Sequence, residues 1–142
     1  MDLINVVTEN IIKRGACNSF NGGTLEKLVQ QLFSPQGIEF IKNTHYPDLE
    51  AFSHMEREYS LQRFGIYVNS GKITLSDAQK VVLVGNTTAT IKCEQTKAFE
   101  YYLLHGANAH IFCEGYSVLK LENDKFSTYT VEHKGDNAII LK

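Results

Sequence analysis

Proline is scarce in this 142-residue chain: there are two, Pro35 and Pro47, and none in the following 95 residues. A long stretch free of proline leaves every backbone N–H available for a β-ladder. Paired cysteines are lacking as well. Cys17, Cys93 and Cys113 are odd in number and form no CxxC, which argues against a zinc ribbon or a dithiol redox motif. The histidines His45, His54, His105, His110 and His133 show neither HxH nor HExxH spacing, so no transition metal is expected. Asn21-Gly22-Gly23 lacks the lysine and spacing of a phosphate-binding loop and reads as a plain turn. No cofactor is expected from any of these patterns.

An excess of one charge is also missing. The formal charge is −2, with six basic and eight acidic side chains over residues 1–63 and eight of each over 64–142. Neither half is a basic footprint, and a nucleic-acid partner is not expected. No run approaches the ~18 apolar residues of a membrane helix. Gly15-Ala16-Cys17 has the look of a lipoprotein signal end, but Asp2, Glu9, Lys13 and Arg14 break the apolar run such a signal needs. The expectation is a cytoplasmic protein with reduced thiols and no membrane partner.

What is present falls into two styles. Over residues 1–63 the apolar spacing is helical. Leu3, Val6 or Val7 and Ile11 share a face that Gly15 should end, and Cys17 to Gly23 is turn-forming. Thr24 is a suitable N-cap for a helix burying Leu25, Leu28, Val29, Leu32 and Phe33. Ser34-Pro35 and Tyr46-Pro47-Asp48 each read as a helix start with proline in the first turn. The second start leads into Leu49, Phe52, Met55 and Leu61. Glu56, Arg57 and Glu58 read as the solvated side of that helix.

From residue 64 to 142 short β-prone runs alternate with Asn-, Gly- and Asp-rich turns. Leu83 to Cys93 aligns without a gap on Leu103 to Cys113, and Ala89, Ile91 and Cys93 match Ala109, Ile111 and Cys113 two residues apart. That is one strand face repeated at a period of about 20 residues, the signature of stacked coils. The expected fold class is α+β, a short-helix head followed by an all-β tail, with a short β-solenoid as the leading architecture. An antiparallel β-sandwich or roll is the alternative. In the next coil the matching residues are Tyr129, Val131 and His133, where the likeness fades.

Phe33-Ser34-Pro35-Gln36-Gly37-Ile38-Glu39-Phe40, Ile73-Thr74-Leu75, Val84-Gly85-Asn86-Thr87, Leu104-His105-Gly106-Ala107 and Asp136-Asn137-Ala138-Ile139-Ile140-Leu141 together resemble a group of small uncharacterised proteins from Bacteroidales genomes and their phages and mobile elements. The resemblance covers nearly the whole chain. It implies a bacterial or phage setting and brings no activity, ligand or catalytic residue with it.

The chemistry-bearing residues support binding better than catalysis. Cysteine–histidine catalysis needs a base within about 3 Å of the thiol, and along one strand His110 points away from Cys113. Only His133 stands in the right register to stack beyond Cys113, and inward cysteines serve well as small apolar filler. If Ala109, Ile111 and Cys113 face inward, then His110 and Phe112 face outward, as do Thr88, Thr90 and Lys92 one coil earlier. With Phe99, Tyr101 and Tyr102 nearby, the candidate binding residues are Lys92, Tyr102, His110 and Phe112. The terminal run Ala138-Ile139-Ile140-Leu141 is an unprotected edge. The expected function is a non-enzymatic binding or assembly protein that self-associates through a β face or edge. Two alternatives stand beside it. One is a small enzyme at the head–tail junction using Arg63, Tyr67 and His105; the other binds carbohydrate or peptide on the aromatic strand face.

Overall fold

The computed structural model describes residues 2–15 and 23–142. Cys17 and the Asn21-Gly22 turn lie outside the described residues. The chain divides into two units, Met1–Glu58 and Tyr59–Lys142.

The first unit is helical. Helix α1 (Leu3–Lys13) is capped by Asp2, whose carboxylate accepts from the Asn5 N–H, and buries Ile4, Val7 and Ile11. Of the two valines the sequence offered, Val7 turns inward and Val6 is exposed. Helix α2 (Leu25–Leu32) starts at Thr24, whose hydroxyl accepts from the Lys27 N–H at 3.2 Å. Leu25, Leu28 and Leu32 line its buried face. Ser34 ends that segment and caps α3 (Pro35–Thr44), accepting from the Gly37 N–H, with Pro35 in the first turn as expected.

Pro47 departs from the expected grammar. Helix α4 (Leu49–Tyr59) begins after Asp48, whose carboxylate accepts from the Ala51 N–H at 2.8 Å. Pro47 follows a cis peptide bond and lies outside the helix. The aspartate starts α4 because it supplies the acceptor that the orphan N–H groups of the first turn require. Phe52 and Met55 are buried, and Phe52 stacks on Phe33 with ring centres 6.3 Å apart.

The second unit is a parallel β-solenoid of roughly four turns. A single 3₁₀ turn (Leu61–Phe64) leads into β1 (Ile66–Val68), β2 (Gly71–Ser76), β3 (Lys80–Val84), β4 (Thr87–Cys93), β5 (Ala98–Leu104), β6 (Asn108–Cys113), β7 (Val118–Asn123), β8 (Thr128–Lys134) and β9 (Ile139–Leu141). Odd strands form one sheet in the order β1-β3-β5-β7-β9, and even strands the other, β2-β4-β6-β8. Every pairing is parallel, which removes the antiparallel sandwich.

The interior is a set of ladders. Ala89 pairs with Ala109, Ile91 with Ile111 and Cys93 with Cys113, all at 0% exposure. From the opposite sheet Leu83, Leu103, Phe99, Tyr101, Leu119 and Leu121 fill the same core. Tyr101 can be buried completely because its hydroxyl donates to the Ala78 carbonyl at 2.9 Å, so its one polar side-chain atom is paired.

The coils are not of equal length. Ile66 pairs with Val82, sixteen residues on, whereas Val81 pairs with Tyr101, twenty on. In the last coil a bulge between Ile111 and Phe112 sets Phe112 opposite His133 and Cys113 opposite Lys134. His133 therefore does not stack on Cys113, as an unbroken twenty-residue register would have required.

Corners are held by side chains reaching to the next coil. Asn69 accepts from the Asn86 N–H at 2.8 Å, and Asp77 from the N–H groups of Glu94 and Gln95. Both residues adopt positive φ, which asparagine and aspartate tolerate better than most. Gly65 has a firmer requirement: at φ +76° a Cβ there would lie 2.5 Å from the Lys80 carbonyl oxygen.

Candidate functional site

Alternation along the even strands puts three rows of side chains on the outer face of their sheet. Lys72, Thr88, Asn108 and Thr128 form one row; Thr74, Thr90, His110 and Thr130 the next; Ser76, Lys92, Phe112 and His133 the third. Lys92 is exposed, and His110 and Phe112 are half-buried. Lys92 and Phe112 are register neighbours, as are Thr90 and His110, so three of the four residues chosen from sequence share one surface.

Tyr102 does not belong with them. It stands on the odd-strand sheet, 2% exposed, and its hydroxyl donates to the Glu100 carboxylate at 2.9 Å. Burial and that carboxylate hold its phenol well above the usual tyrosine range. Phe99 and Tyr101 point into the core, so neither adds to the aromatic surface expected beside Phe112. Phe112 is the aromatic of this face, set among threonines, Lys92 and histidines.

Two histidine–carboxylate contacts mark the last coil. His110 Nδ1 lies 2.9 Å from Glu132 Oε1, and His133 Nε2 contacts Glu114 Oε1. Glu132 is the residue that the bulge inserts between the partners of Ile111 and Phe112. Bulges re-aim side chains, and here the insertion places a carboxylate on the histidine of the neighbouring strand.

The residues proposed for a junction enzyme are engaged separately. Arg63 lies over the Phe64 ring at 4.7 Å, Tyr67 packs against the solenoid core, and His105 Nδ1 sits 3.8 Å from Asp124. The last contact belongs to a group of serine, histidine and aspartate that sequence reading passed over. Asp124 is 3% exposed and accepts from the His105 N–H at 2.7 Å, the Phe126 N–H at 3.1 Å and the Ser127 hydroxyl at 2.8 Å. An activated serine gives its proton to histidine. Ser127 instead donates its hydroxyl hydrogen bond to the carboxylate, and the group is a staple between two coil corners. Asn123-Asp124-Lys125 signals a turn in the sequence, but nothing local shows that the aspartate reaches back to residue 105.

The open edges complete the geometry. Strand β9 pairs with β7 alone and β8 with β6 alone, leaving one side of each without a partner strand among the described residues. Ile139 and Leu141 on β9 are 50% and 52% exposed, against 1% and 7% for Ile66 and Val68 on β1 at the other end of the same sheet. Val131 on β8 is exposed as well. Among the described residues no group of three or more His, Cys, Asp or Glu is placed to hold a metal ion. Among them, too, no helix is long and apolar enough to cross a membrane. Compared with protein-family models, with curated proteins and with solved structures, the chain matches none.

Proposed function

We propose that this chain is a non-enzymatic assembly protein that joins a second copy of itself through the edge of β9, in the bacterial or phage setting its sequence resemblance implies. The observation carrying this reading is the pair of half-exposed aliphatic side chains, Ile139 and Leu141, on a strand with an open ladder edge. An edge of that kind favours strand addition unless it is blunted by charge or a bulge. Strand β8 is blunted in both ways: it carries the bulge, and Glu132, His133 and Lys134 follow one another along it. Strand β9 has no bulge, and its only charge is Lys142 just past its last residue. A two-fold copy brings an identical apolar edge against it, the self-complementary arrangement of most homodimers.

Light scattering across a concentration series tests this directly. The unsubstituted chain is expected to gain mass with concentration. The Ile139→Lys/Leu141→Lys variant should stay monomeric with an unchanged circular dichroism spectrum, because both changes fall on exposed side chains. A wild type that remains monomeric throughout would overturn the reading.

A second reading rests on the row of Lys92, Phe112 and His133 with His110 beside it. An aromatic side chain flanked by hydroxyls and charges suits a sugar ring or a peptide. Titration with oligosaccharides of glucose, mannose and N-acetylglucosamine is expected to move the Lys92, His110 and Phe112 amide resonances together. Phe112→Ala should abolish the response. Shifts that persist in that variant, or fall elsewhere, would remove this face from consideration.

A further inference from the structure

The inward ladder that defines the solenoid ends in two thiols. Cys93 on β4 and Cys113 on β6 are register partners, both 0% exposed. Register neighbours in a parallel sheet lie about 4.8 Å apart. That spacing falls within the window of roughly 4.4–6.8 Å between Cα atoms that a disulfide spans. The two side chains share the same inward face, and the neighbouring Cys113 thiol together with burial holds the Cys93 thiol above the usual cysteine range.

We propose that Cys93 and Cys113 form a site for reversible disulfide formation that staples the second coil of the solenoid to the third, with a small-molecule disulfide of the glutathione class as oxidant. The Cys113 thiolate attacks glutathione disulfide, giving a mixed disulfide and releasing one glutathione thiolate. The Cys93 thiolate then attacks the Cys113 sulfur, forming the protein disulfide and releasing the second. Two protein thiols are oxidised and one glutathione disulfide is reduced, and the two thiol protons end on the two glutathione molecules. Because both sulfurs are shielded in the closed coil, exchange proceeds while the strands are open, during folding or local unfolding. Once closed, the staple is protected from reduction by the same burial. A cross-link between the two coils restricts the unfolded chain and so raises resistance to denaturant.

The test uses the full chain carrying Cys17→Ser, so that only the two ladder thiols remain. After unfolding, it is refolded in a glutathione redox buffer, then denatured, alkylated and weighed. The expected product is a monomer lighter by two hydrogens, unalkylated, whose peptide map joins residues 93 and 113. Its urea midpoint should be higher than that of the same protein refolded in dithiothreitol, and reduction under denaturing conditions should abolish the difference. Peptide mapping of the unsubstituted chain gives the same reading independently of whether the Cys17→Ser variant folds. Full alkylation of both thiols at the most oxidising ratio, stable glutathione adducts, or cross-links only between chains would each overturn the proposal. So would a disulfide that leaves the urea midpoint unmoved.

Discussion

Gly37→Ala is expected to unpack α2 and α3, although alanine is the better helix former by about 1 kcal/mol. Gly37 is in the first turn of α3, where that helix passes over the end of α2. A Cβ at this position would lie 2.1 Å from the Gln31 carbonyl oxygen and 2.3 Å from that of Leu32. Both are backbone atoms fixed by helical geometry, so no side chain can yield. Relief requires moving α3 off α2, and that exposes Leu28, Leu32, Ile38 and Ile41, which are now buried. The overlap exceeds the overpacking that usually costs about 1–3 kcal/mol, and it outweighs the propensity gain. Hydrogen exchange on the full chain is the measurement, with exposed Gln36→Ala as the control. Amides over residues 25–44 should lose protection in Gly37→Ala alone. Protection equal to the control would show that the two helices can separate without loss.

The glycine shows how the sequence can be read and where reading stops. Ser34-Pro35 announces the start of α3 because a cap and a first-turn proline are local chemistry. The contact that makes Gly37 necessary lies between two helices, and nothing in the string Pro35-Gln36-Gly37 specifies it. Pro47 shows the converse: a helix-start pattern was visible, but proline and aspartate both suit such a start, and only the hydrogen bond to Ala51 identifies Asp48 as the cap.

The solenoid was legible for a narrower reason. Coils two and three carry identical inward residues at 89, 91 and 93 and at 109, 111 and 113, so their stacking shows as a repeat. The first coil pairs Ile73 with Ala89 and Leu75 with Ile91, sixteen residues apart, and a search at a twenty-residue period misses it. The fourth offers Tyr129 and Val131 to the same ladders and then slips by one residue. Inward positions demand apolar character and a matching volume across the coil, not identity, so most ladders leave no echo. The same limit governed the candidate site. Alternation placed Lys92, His110 and Phe112 on one outer face because they lie in the echoing coils. Tyr102 belongs to the other sheet, whose strand carries buried residues on both faces at Tyr101, Tyr102, Leu103 and Leu104 and so offers no alternation to read.

Asp124→Ala carries the second large expectation, a loss of several kcal/mol built up from about 1–3 kcal/mol for each buried donor left without an acceptor. The carboxylate satisfies two backbone N–H groups and one hydroxyl, and its side chain and that of His105 are 2% and 8% exposed. Ser127 can rotate its hydroxyl to another acceptor. The N–H groups of His105 and Phe126 cannot move without unwinding the corners that carry them, and each unsatisfied donor costs about 1–3 kcal/mol. Asp124→Asn should be milder, because it keeps one acceptor oxygen but turns an amide donor towards donors that now face a carboxylate. Exposed Lys125→Ala in the same turn serves as the control. Urea unfolding monitored by circular dichroism ranks the three, and hydrogen exchange should show the lost protection concentrated at residues 104–107 and 123–128. If alanine costs no more than the control, the corners of the third and fourth coils are held by strand pairing alone and the buried aspartate is dispensable. The predicted order, Ala above Asn above control, follows from counting acceptors at one carboxylate.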